Sequence, residues 1–146
     1  MKAYPFLLGC IVIQVLSSCN KDKIPEISKK EMLTAREWVI QKFEEREITT
    51  PWADVFPFWS ACEKDNKWIF KPDFGMELSE SAIACSGSTP NAILDEVNWA
   101  FAENETKITI ENNTYLIERL DETALIITIS QVVNGITLQE RITYEH

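Results

Sequence analysis

Leu125 to Tyr144 reads LIITISQVVNGITLQERITY, and this stretch decides the fold. Leu125, Ile127 and Ile129 share one side of an alternating run. Asn134-Gly135 then supplies the two positive-φ positions that a tight hairpin turn requires. Beyond the turn, Ile136, Leu138, Ile142 and Tyr144 alternate with Thr137, Gln139, Arg141 and Thr143. A period of two with one apolar side marks a strand whose inner face covers a core. The pair therefore reads as an antiparallel hairpin.

The same pattern extends upstream. Tyr115 to Leu120 is a strand ended by Asp121-Glu122, and Ile108 and Ile110 alternate with Lys107 and Thr109. Asn112-Asn113 reads as the turn between these two, and Asn104-Glu105 as the turn before them. Their Asn-x-Thr triplets (104–106 and 112–114) match a glycosylation pattern, but turn chemistry explains them better. Val97, Trp99 and Phe101 alternate with Asn98, Ala100 and Ala102, after a loop spanning Ser86 to Asp95. Phe74, Met76 and Leu78 form a further row, joined through the Pro72-Asp73-Phe74-Gly75 turn to Lys67–Lys71, where Trp68 and Phe70 share a face. Arg36 to Glu45 suits a first strand, and Ser28-Lys29-Lys30-Glu31 has the spacing of a capping box opening one helical turn to about Leu33. Eight candidate strands in sequence form a meander. Its two edges must be hidden by closing the sheet or by stacking it, so the pattern alone fits a barrel or a sandwich.

Chemistry-bearing residues are sparse. His146 is the only histidine and it is the final residue, which leaves no Ser-His-Asp, Cys-His or histidine-metal arrangement. Four glycines spread along the chain form no phosphate loop. The many carboxylates read as a solvated acidic surface. A net charge of −9 argues against nucleic acid and against electrostatic docking on anionic headgroups. Enzymatic activity, cofactor and metal are therefore not expected.

The N-terminus carries an address. Met1-Lys2 precedes an apolar run from Phe6 to Leu16, which at about a dozen residues suits a signal-peptide core and is too short to span a bilayer. Leu16-Ser17-Ser18-Cys19 then resembles the lipobox of bacterial lipoproteins. That resemblance implies cleavage of residues 1–18 and lipidation of Cys19, hence a membrane partner through the lipid and a place in the cell envelope at the outer membrane. Several acyl chains on one residue hold firmly where a single chain does not. The polar segment Asn20–Ile27 reads as a tether, so that residues 19–32 link the lipid to a domain over 33–146. Periplasmic and surface faces both remain open. With Cys10 removed and Cys19 lipidated, Cys62 and Cys85 are an even pair in an oxidising compartment, and a structural disulfide is expected.

A second resemblance covers much of Leu33 to Trp99. Leu33-Thr34-Ala35-Arg36-Glu37-Trp38 looks like the Leu-Thr-Gly-Lys-x-Trp opening of bacterial lipocalin-like lipoproteins, with Ala35 in place of the glycine. Ala61-Cys62-Glu63-Lys64-Asp65-Asn66 is similar to that family's Cys-x-Lys-Asp-Asp segment, and Phe70-Lys71-Pro72-Asp73-Phe74-Gly75, Cys85 and Trp99 continue the match. The resemblance implies a lipocalin-like up-and-down antiparallel β-barrel of about eight strands, which tips the choice from sandwich to barrel.

Barrels of this size enclose one small ligand or fill themselves with side chains. The expected function is a non-catalytic binder of a small apolar molecule, with Trp38, Trp68, Phe70, Trp99 and Phe101 walling the cavity. The alternative is a filled barrel that presents its loops to another envelope protein. The loop aromatics Trp52, Phe56, Phe58 and Trp59 are expected to fold down and plug one barrel end. Arg141, or failing it Arg119, is expected to stack on Trp38, because closure sets the last strand beside the first.

Overall fold

The computed structural model describes residues 27–146; the expected signal peptide 1–18, the expected lipidation site Cys19 and the expected tether up to residue 26 lie outside the described residues. A capped turn α1 (Lys29–Thr34) leads into β1 (Glu37–Glu47), a short strand β2 (Ala53–Asp54) and α2 (Ala61–Lys64). The remaining strands are β3 (Lys67–Phe70), β4 (Gly75–Ser79), β5 (Ile93–Ala102), β6 (Lys107–Ile110), β7 (Asn113–Leu120), β8 (Ala124–Val133) and β9 (Ile136–Glu145). Each strand from β3 onward pairs antiparallel with the next, β1 pairs with β3, and β9 returns to β1 from Val39↔Glu145 to Glu47↔Leu138. The result is a closed eight-stranded up-and-down barrel, with β2 as an extra strand on the upper half of β1. Closure follows from the sequence pattern: a meander with one apolar face hides that face and both edges by curling on itself.

One end is closed. Ser28 and Glu31 complete the expected capping box, and α1 buries Leu33 completely. The Trp38 indole N–H donates to the Leu33 carbonyl at 2.9 Å. Lys29 reaches the Glu105 carbonyl in the β5–β6 turn, Lys30 lies 4.0 Å above the Phe74 ring in the β3–β4 turn, and Arg36 reaches the Glu122 carbonyl in the β7–β8 turn. The core beneath is Trp38, Ile40, Phe70, Met76, Trp99, Ile108, Ile110, Leu125, Ile127, Ile142 and Tyr144.

Several sequence expectations shift in detail. The first strand runs two residues past Glu45, because β9 continues to pair with it. The fifth strand starts at Ile93, inside the expected loop, because Ser79↔Ile93 and Leu78↔Asp95 extend the ladder. The β6–β7 turn is carried by Glu111 and Asn112, with Glu111 at φ 54°, and Asn113 already pairs with Ile110. Asn134 and Gly135 adopt the expected positive φ values of 53° and 80°. The long connection after β1 is not one loop but β2, a 3-10 turn (Phe56–Phe58) and α2, which is started by a second capping box of Ser60 and Glu63.

Candidate functional site at the open end of the barrel

The five aromatic side chains expected to wall a cavity come together in the closed half. Trp38, Phe70 and Trp99 are buried completely or nearly so, and Trp68 and Phe101 pack against them half-buried. Their rings meet edge to face: Phe70–Trp99 at 5.7 Å, Trp99–Phe101 at 5.3 Å and Trp68–Tyr144 at 5.7 Å. Such contacts are core packing, and each contributes about 0.5–1.5 kcal/mol beyond burial.

Arg141 does not cover Trp38. A bulge at Gln41, between Ile40 and Lys42, shifts the register of β1 against β9. Trp38 and Ile40 point inward below it, while Phe43 and Glu45 do so above it, opposite Ile142 and Glu140. Glu44 and Arg141 consequently pair on the outer face. Both oxygens of Glu44 are held there, one by Lys42 at 2.8 Å and the other by Arg141 at 2.7 Å. Burial alone would push the Glu44 carboxyl up, but these hydrogen bonds and the two positive charges outweigh it and hold it low. The Arg141 guanidinium lies 4.4 Å over the Trp52 ring and Arg46 lies 4.2 Å over it. Trp52 therefore straps the segment after β1 against the barrel wall. Arg119 does not reach Trp38 either; it pairs with Asp121. The ring that stacks on Trp38 is His146, at 5.6 Å.

The loop aromatics divide. Phe56 and Trp59 fold down as expected and pack with Phe43, the Phe43–Trp59 rings lying 5.1 Å apart. Phe58 remains 85% exposed. The expected disulfide joins Cys62 in α2 to Cys85 in the β4–β5 connection. Beside it Glu80 is only 1% exposed: one carboxylate oxygen accepts the Cys85 N–H, and the Asn66 amide nitrogen donates to the other at 3.1 Å and to the Cys62 carbonyl at 3.0 Å.

The end opposite α1 holds a recess of about 350 Å³ between the upper part of β1, the β1–β2 connection and β9. Pro51, Ala53, Val55 and Leu138 give it apolar walls, and Glu45, Arg46, Glu47 and Glu140 give it a charged rim. That volume sits at the lower end of the range for small-molecule pockets. Among the described residues, no group of three His, Cys, Asp or Glu side chains is placed to hold a metal ion.

Glu140 is the distinctive group of this recess. It lies directly across from Glu45, and burial together with the Glu45 charge pushes its carboxyl above the ordinary range. The folded state thus resists ionising Glu140. Stability is lost as pH rises through its folded pKa, and no such loss exists below the unfolded value of about 4. Glu140→Gln is accordingly expected to raise the urea midpoint at pH 7 and to leave it unchanged at pH 3. Equal midpoints at pH 7 would refute the assignment. The recess residues carry no site motif in the sequence. The available signal was Glu140 itself, an acid on the side of the last strand otherwise occupied by Ile136, Leu138, Ile142 and Tyr144.

The geometry defines a class: a closed antiparallel barrel with a packed, helix-capped end and a recess at the other. No protein-family model matches the chain, and no curated protein matches it significantly.

Proposed function

We propose that the protein is a non-catalytic lipoprotein of the cell envelope, tied to the outer membrane through Cys19, whose lipocalin-like barrel holds a small apolar molecule at its open end. The recess walled by Pro51, Ala53, Val55 and Leu138 carries this reading. The five packed aromatics act as the floor of the barrel, and ligand contact falls to the apolar walls above them. The lipobox residues 16–19 support the anchor, and the net charge of −9 supports a partner other than nucleic acid. The single histidine is engaged in stacking on Trp38, which supports a non-catalytic role.

Leu138 is 38% exposed, so its replacement tests the recess with little threat to the core. Native mass spectrometry of the lipidated chain from its own envelope is expected to show one retained small-molecule mass beyond the acyl groups. In Leu138→Trp the indole fills the recess, and that mass is expected to disappear while the circular dichroism spectrum is kept. A wild-type ion without extra mass, or the same adduct in Leu138→Trp, would contradict the proposal.

A further inference from the structure

The barrel wall is not paired over its full height. The β7–β8 ladder runs from Leu120↔Leu125 up to Leu116↔Thr128 and stops there. Above it Asn113 to Tyr115 pair only with β6, whereas Ile129 to Val133 pair only with β9. Two strands that are neighbours below therefore part toward the open end.

The backbone groups left free on β8 can be named. Asn134-Gly135 is a two-residue turn, so the flanking Val133 and Ile136 exchange both backbone hydrogen bonds. By alternation Gln131 and Ile129 also point their N–H and C=O groups at β9. Ser130 and Val132 point theirs the other way, toward the side β7 has left. Both residues are exposed, Val132 by 73%. Natural sheets blunt an open edge with lysine, proline, a bulge or a covering segment. Ser130, Gln131, Val132 and Val133 carry neither charge nor proline, and their ladder to β9 is unbroken.

We propose that this upper edge of β8 is a docking site for an extended, basic segment of another protein, which adds as a strand beside Ser130 and Val132. The reasoning concerns what can satisfy the free groups. A bilayer offers no hydrogen-bond partners to an unpaired N–H or C=O, so the edge is unsuited to lipid. An added strand supplies both, with alternate side chains falling on exposed Val132 and Leu116. Charge selects among protein partners. Glu118 stands at the foot of the opening, where its carboxylate accepts the Thr128 hydroxyl, and Glu111 stands in the turn that leads into β7. The nearby Arg141 is neutralised by Glu44, and Arg46 is held by Gln139 and Trp52. A second copy of this acidic chain would oppose like charges, whereas a segment with lysine or arginine complements them.

The test uses the full chain in zwitterionic detergent and the acetylated, amidated hexapeptide Lys-Val-Thr-Val-Thr-Lys. Amide exchange at Ser130 and Val132 is expected to slow at least tenfold with this peptide. It is expected to stay fast with a peptide N-methylated at alternate residues and with one carrying glutamate for lysine. Val132→Pro removes one of the donors and is expected to abolish the response while leaving exchange in β1 and β5 unchanged. Fast exchange in the presence of the lysine peptide would overturn the proposal. So would slow exchange before any peptide is added, whether accompanied by a dimeric mass or found in the monomer. The small-molecule reading is untouched by either result, since its readout is the retained mass.

Discussion

Trp38→Ala is expected to lower the free energy of unfolding by about 3–5 kcal/mol, the range for removing a large aromatic from a packed core. The side chain is fully buried, and its indole N–H donates to Leu33, which ties α1 to the barrel. His146 stacks on one side of it, and Trp68 is its cross-strand neighbour. Truncation therefore leaves a cavity, an unpaired carbonyl at the end of α1 and a loosened cap at the same time. Because β1 pairs with both β3 and β9 here, the damage sits at the seam of the barrel. Urea unfolding followed by far-ultraviolet circular dichroism measures the loss directly. A change below about 1 kcal/mol would mean that the closed end does not depend on this ring.

The second large effect concerns the disulfide. Replacing Cys62 and Cys85 together by serine is expected to lower stability by about 3 kcal/mol. The bridge spans 23 residues of chain, and its main action is to limit the freedom of the unfolded ensemble. In the folded state it also pins α2 to the β4–β5 connection, where the buried Glu80 takes hydrogen bonds from Cys85 and Asn66. Comparing urea midpoints of the oxidised chain and of the double variant tests this. Identical midpoints would show that the hydrogen-bonded cluster holds these segments without the bridge.

The architecture was legible where apolar residues recur at alternate positions. β5, β8 and β9 each carry such a row, and Asn134-Gly135 marks the one turn whose chemistry demands its geometry. Cysteine parity pointed to the bridge. What was not legible arises from bulges. Nothing in Val39-Ile40-Gln41-Lys42 announces the shift that turns Phe43 inward and Glu44 outward. Arg141 consequently meets Glu44 rather than Trp38, since strand order places it beside β1 but only the register says against which residue. A second shift between Ile117 and Arg119 keeps both Ile117 and Leu120 facing the core. β2 lies within a loop rich in proline and aromatics, and its two residues are too few to leave a periodic signal. The recess was hidden for a related reason. Its walls come from β1, β9 and the segment between β1 and β2, which closure alone brings together.

The folded ribbon as a whole depends on β9 lying against β1, and nuclear Overhauser contacts on the isotope-labelled full chain measure that most directly. Contacts between Ile40 and Tyr144, and between Phe43 and Ile142, are expected, together with slow amide exchange along the β1–β9 ladder. A β9 that contacts β8 alone, with no contact to β1 and freely exchanging amides along that edge, would contradict the closed barrel and everything built on it.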